Sequence, residues 1–148
     1  MRCSWVATAF VALTGAGVAH AQSGEDQVRR AIMDMNRAAE RLDADAFMRS
    51  YWRSPRLTIT FDAETMRGWD TIAREQRKWW ADKNAGIRFE EQGPAEIVSQ
   101  GKGVVTSLQH MRVSRAGDPK PARLVITSVW KKLPEGWRVV LAHESLVP

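Results

Sequence analysis

One cysteine, one tyrosine and three histidines are all that 148 residues carry of those types, and each shortage excludes something. A lone thiol, Cys3, cannot make an internal disulfide, so the folded chain has to be stabilised by packing. His20 stands near the start, which leaves His110 and His143, and no two histidines lie one helical turn apart as a zinc site would place them. There is no glycine-rich phosphate loop and no Gly-x-Ser-x-Gly nucleophile elbow. The sequence therefore predicts no metal and no cofactor. The charge balance is also modest, with 22 basic and 17 acidic residues for a net +5. An excess of that size attracts acidic partners only weakly. Arg74 to Lys83 mixes arginine, tryptophan and lysine as a nucleic-acid surface would, but acids interrupt it, and nucleic acid is not an expected partner.

What is present divides at Ala21. Arg2, an apolar run from Trp5 to Val18, and small residues at Ala19 and Ala21 have the plan of a secretory leader cleaved after Ala21. The run is too short for a convincing membrane span, so no membrane attachment is expected once the leader is gone. Removing 21 of the 148 residues leaves 127, enough for one domain with a real core over 22–148. Loss of Arg2 lowers the charge from +5 to +4 and loss of Trp5 leaves six of seven tryptophans. The expected location is periplasmic or secreted.

Periodicity orders the remainder. Ser23 with Asp26 opens a helix whose stripe is Val28, Ala31, Ile32, Met35, Ala38, Ala39 and Leu42. Asp43 caps a short second helix carrying Phe47 and Tyr51, which Ser54-Pro55 stops. Leu57, Ile59 and Phe61 alternate with polar residues as a strand does. A brief return at Met66-Arg67 and a corner at Gly68 lead to a third helix, capped by Asp70 and running to about Asp82. From Ile87 four strand-like segments follow: Ile87 through a Gly93-Pro94 irregularity to Val98, Val104 to Ser114, Arg123 to Leu133, and Trp137 to Leu146. Helices first and an antiparallel run afterwards is the order of an α+β domain with helices laid across one sheet face.

The Arg67-Gly68-Trp69-Asp70 corner, Phe47 to Leu57, and the closing Gly136-Trp137-Arg138-Val139-Val140 with His143-Glu144-Ser145 together resemble the NTF2-like superfamily, in its SnoaL-like or DUF4440 branch. That resemblance implies three N-terminal helices on a strongly curved, mixed but mainly antiparallel sheet, enclosing a conical pocket, in a chain that often forms homodimers. It also implies a small, partly apolar ligand. Because this superfamily includes isomerases, dehydratases and members that only bind or assemble, it does not assign a reaction.

Two residues suit the role of general base. His143 shares a strand face with Leu141 and Ser145, and an imidazole serves as base or donor near neutral pH. Asp62 stands near where steroid isomerases of this superfamily carry their base; as a bland alternative it caps the turn at Ala63 and Glu64. Expected ligand contacts are Tyr51, Trp52, Phe61, Trp69, Trp80, Gln109, Thr127 and Ser145, with Trp52 and Trp69 nearest the cavity. Gln109 and His110 lie on opposite strand faces, and His110 is expected outside. The leading expectation is an exported domain that binds a small molecule. The alternatives are a cofactor-independent isomerase, hydratase or lyase using Asp62 or His143, and a dimerisation or assembly module.

Overall fold

The structure is a computed structural model that describes residues 22–147. The leader read at Met1–Ala21, and Cys3 with it, lies outside the described residues. No helix among them is long and apolar enough to cross a membrane.

Helix α1 spans Gly24–Glu40, and the Ser23 hydroxyl accepts from the Asp26 N–H at 3.0 Å, fixing its start. Val28, Ile32, Met35, Ala38 and Ala39 are its buried stripe, the spacing that turns one helix face to a core. Helix α2, Ala44–Met48, begins where the Asp43 carboxylate accepts from the Ala46 N–H at 2.9 Å. Strands β1, Thr58–Phe61, and β2, Glu64–Arg67, form a hairpin. Helix α3 covers Trp69–Trp79. Its start departs from the expected cap: the cap position is Gly68, at φ 84°, with no side-chain bond, and Asp70 sits inside the first turn. The Gly68 conformation is one that only glycine adopts without strain.

The expected strand from Ile87 to Val98 is two strands, β3 (Arg88–Glu91) and β4 (Glu96–Gly101). Gly93 at φ 113° breaks the run, and Pro94 has no N–H to continue a ladder. The two pieces pair with opposite ends of β5 (Val104–Ser114). Strands β6 (Ala122–Leu133) and β7 (Gly136–Val147) complete the sheet, whose order is β2-β1-β7-β6-β5-β3 with β4 also on β5. Among the described strands only β1 and β7 run parallel, and an isolated parallel bridge joins Tyr51 to Val139. This is the α+β architecture expected, with helices packed on a curved, mixed, mainly antiparallel sheet.

The core lies between α1 and the inner sheet face. Trp130, fully buried, sits among Val28, Ile32, Met48, Tyr51, Leu57 and Val139, and its indole N–H donates to the Ser107 hydroxyl at 2.9 Å. A tryptophan so placed contributes through its large buried area, with its one polar atom satisfied. A smaller cluster of Ala39, Leu42, Ala44 and Trp80, bordered by Phe47, Ile87 and Phe89, extends the core toward one end of the sheet. The cavity described next opens there.

Candidate functional site

A cavity of about 380 Å³ lies between α1, α2, α3 and the inner face of β5, β6 and β7, within the size range of small-molecule sites. One wall is a chain of rings. Tyr51 meets Phe47 at 5.3 Å, Phe47 meets Trp80 edge-on at 4.9 Å, and Trp80 meets Phe89 at 5.6 Å between centroids. Met111, Leu124 and Ile126 form the sheet side. At the margin Phe61 and Trp79 lie 6.4 Å apart, and Trp79 and Leu146 are half exposed at 50% and 45%. Polar contributions come from Asn36, Gln76 and Glu144. The Asn36 amide already donates to Glu91 at 2.8 Å.

Glu144 is the one titratable carboxyl in this lining. Loss of water raises its pKa from 4.5 to about 7, as burial does for any acid whose charged form it disfavours. The four ion pairs found among the described residues lie elsewhere, on the surface. Tyr51, buried in the same wall, has its phenol pKa pushed well above the ordinary value, first by burial and then by the Glu144 charge. It thus stays protonated and keeps an O–H to donate. A carboxyl poised near neutrality beside a protonated phenol in an apolar chamber is an arrangement suited to proton transfer.

A bulge brings Glu144 inward. On β6, Val129 pairs with Leu141 but Trp130 pairs with Val139, so Val140 is an extra residue. Before it Trp137 and Val139 face the core; after it Ala142 and Glu144 do. One inserted residue exchanges the faces of a strand.

The same bulge corrects the placement of His143 and Ser145. Both lie on the outer face, His143 exposed, with the Ser145 hydroxyl 3.1 Å from the His143 Nε2. Thr127 is aligned with His143 and is also outside. Asp62 does not enter the cavity lining. It holds a left-handed φ of 49° at the end of β1, and its carboxylate accepts the Leu146 N–H at 2.9 Å.

Trp52 and Trp69 likewise lie away from the lining. The Arg56 guanidinium stacks over Trp52 at 5.1 Å. Trp69 donates its indole N–H to the Met48 carbonyl at 3.1 Å and carries Arg53 over its ring at 4.8 Å. Tyr51, Phe61 and Trp80 do line the cavity. Gln109 is buried on the inner face but, against expectation, does not enter the lining, and His110 is exposed. The sequence reading missed Phe89 and Glu144. Phe89 could have been found from its alternation within Arg88–Glu91. Glu144 could not, because Val139-Val140-Leu141-Ala142 is uniformly apolar and hides the bulge.

Gln109 stands out among the described residues. Its side chain is 2% exposed, and neither Nε2 nor Oε1 has a hydrogen-bond partner. Leaving a buried polar group unpaired costs about 1–3 kcal/mol. The register aligns Gln109 with Ile126 and, on the next strand, with Glu144. No three His, Cys, Asp or Glu side chains among the described residues gather as a metal cage requires.

Helices over a curved, mostly antiparallel sheet, with an apolar chamber at one end, define an NTF2-like fold. The sequence profile of the SnoaL-like domain matches residues 28–148, and the chain belongs to that family. Three solved structures show how widely this fold is used. An NTF-2 like protein of unknown function from Shewanella oneidensis is 23% identical, covering 81% of this chain and 97% of its own, with a TM-score of 0.70. A putative dehydratase of the NTF2-like family from Streptomyces avermitilis is 19% identical over 84% of this chain and 96% of its own, also at 0.70. A putative calcium/calmodulin-dependent protein kinase type II association domain from Thiobacillus denitrificans is 21% identical, covering 80% and 93%, at 0.65. Among curated proteins the search returned no relative.

Proposed function

We propose that this chain binds a small, partly apolar molecule in its cavity and moves a proton on it without a cofactor, as an isomerase or hydro-lyase does. Glu144 is the general base or acid and Tyr51 the hydrogen-bond donor to the oxygen on which charge develops. The observation that carries this reading is the Glu144 carboxyl, held near pH 7 by an apolar chamber whose wall also holds a protonated phenol. Asp62 and His143, both outside the chamber, have no part in the step. The Streptomyces protein described as a putative dehydratase is in keeping with chemistry of this kind.

Deuterium exchange tests it. Small apolar ketones, 2-tetralone among them, would be incubated with the protein in D2O and followed by NMR for label next to the carbonyl. Exchange is expected to rise as pH passes through about 7, where Glu144 loses its proton. It should fall by roughly 10²–10⁴ in Glu144→Gln, the usual contribution of a general base. Equal exchange in the two proteins, or none above buffer for the whole panel, would remove the catalytic assignment.

The chain is further proposed to act after export, cut behind Ala21 as a single domain over 22–148, and to work as a homodimer. An intact mass starting at Gln22, and sedimentation at twice the chain mass, are the corresponding observations.

A further inference from the structure

We infer that Gln76 selects the ligand by a second polar group, and that the ligand is an uncharged hydroxy ketone whose hydroxyl lies away from its carbonyl. This inference rests on the cavity reading given above and extends it to the class of substrate.

Gln76 interrupts the apolar stripe of α3. Ile72 and Ala73 precede it on the buried face and Trp80 follows one turn on, the spacing that turns one side of a helix inward. A polar side chain at such a position costs stability unless its amide finds a partner. The polar residues around it have partners, Arg77 with Asp45 and Lys78 with Glu75. The Gln76 amide has none among the described residues, although the residue is only 8% exposed and lines the cavity. The side-chain atoms that are both unpartnered and sealed from solvent belong to Gln109 alone among those residues. The Gln76 amide is therefore unpartnered but open, and the space it meets is the chamber. Asn36, the other neutral amide of the lining, already donates to Glu91 at 2.8 Å.

An open amide is served by solvent until a ligand takes that space, and the ligand must then serve it. A hydroxyl does so by accepting from the amide N–H or donating to its oxygen. A methyl in the same place leaves both atoms bare.

The lining also sets the charge of the ligand. It includes no lysine, arginine or histidine, and Glu144 is its one titratable carboxyl. A carboxylate, sulfate or phosphate ester would enter without a counter-charge and beside an acid, a costly burial. An ammonium would pair with Glu144 and hold it ionised, which removes the base. A neutral molecule meets neither obstacle.

Gln76 and Glu144 approach the chamber from different walls. Glu144 stands on β7 with Phe61 beside it in register on β1. The Phe61 ring lies 6.4 Å from that of Trp79, three residues beyond Gln76 on α3. The carboxyl thus belongs to the sheet wall and the amide to the helix wall. A ligand whose carbon next to the carbonyl meets Glu144 turns its other end to Gln76, which is why the hydroxyl is placed away from the carbonyl.

Tetralones test this. 2-Tetralones carrying a hydroxyl, a methyl or a carboxylate at each position of the aromatic ring would be titrated calorimetrically, so that binding is read apart from turnover. In the unmodified protein the best hydroxyl compound should bind about three- to tenfold more tightly than its methyl counterpart, the scale of one neutral hydrogen bond, although methyl is the more readily buried group. Every carboxylate should bind more weakly than the methyl compound of the same position. Gln76→Met keeps length and helix propensity and should reverse the first preference, methyl above hydroxyl, a change that a merely structural role for Gln76 would not produce.

A methyl preference at every position in the unmodified protein would overturn the inference without recourse to a variant, and so would a hydroxyl preference that survives in Gln76→Met. Tighter binding of a carboxylate would overturn the assignment of an uncharged ligand. A preference that reverses as expected in a protein showing no deuterium exchange would uphold Gln76 and remove only the catalytic role of Glu144. Failure of every compound to bind would overturn the cavity reading and this inference together.

Discussion

Asp62 looks like a base in the sequence and acts as a fastener in the structure. Its N–H donates to the Glu144 carbonyl at 2.8 Å and its carboxylate accepts the Leu146 N–H at 2.9 Å, so one residue holds β7 on both sides of Ser145, directly after Glu144. Its φ of 49° is a conformation that Asp and Asn tolerate better than other side chains. Asp62→Asn keeps an acceptor oxygen and that tolerance, and should leave ketone exchange and stability within about 0.5 kcal/mol of the parent. Asp62→Ala loses the bond and strains the backbone, which should cost about 2 kcal/mol in urea unfolding. If the Asn variant instead abolishes exchange while still folding, Asp62 is the base and Glu144 is not.

Strand β7 shows both how far the sequence could be read and where it stopped. Capping was legible, because Ser23 and Asp43 are short oxygen-bearing residues placed just before apolar stripes, and both do cap. The strands from Val104 onward were legible within a residue or two at each end, since β-branched alternation between turn residues has few other solutions. Asp70 misled because a start signal one residue inside a helix looks the same as one at its edge. The site was less legible than the fold. Facing is set by counting in twos, and Val140 adds one. A thiol placed at each position in a Cys3→Ser chain reads the count directly, since Cys3 is the one cysteine of the sequence. In dilute protein, His143→Cys should react with a maleimide at the rate of an exposed thiol. Glu144→Cys should react roughly tenfold slower or worse, because thiol reactivity follows exposure. The reverse order would mean that the bulge is absent and that His143 faces the chamber.

For the whole molecule, an acid held in an apolar chamber makes stability depend on pH in a definite direction. The Glu144 pKa is raised from 4.5 to about 7 in the folded chain, so between those values the folded state binds more protons than the unfolded one. Stability then falls as pH rises through that window. The contribution is fully present below about 4.5 and lost once pH has passed through about 7. At about 1.4 kcal/mol for each pH unit of displacement, the full loss is about 3.5 kcal/mol, a large share of the roughly 5–15 kcal/mol typical of a domain. Glu75, lowered chiefly by its hydrogen bond to Lys78, is common to parent and variant, so it cancels in their comparison. Glu144→Gln removes the titration and keeps the shape. Urea unfolding at pH 5 and pH 8 should therefore show the stability difference, variant minus parent, increasing by about 2–3 kcal/mol at the higher pH. A bound apolar ligand should steepen the dependence, because it excludes from the chamber the water that an ionised Glu144 needs. A difference that stays constant between the two pH values would mean that Glu144 titrates as an ordinary surface acid, and the chamber would then have no poised proton to transfer.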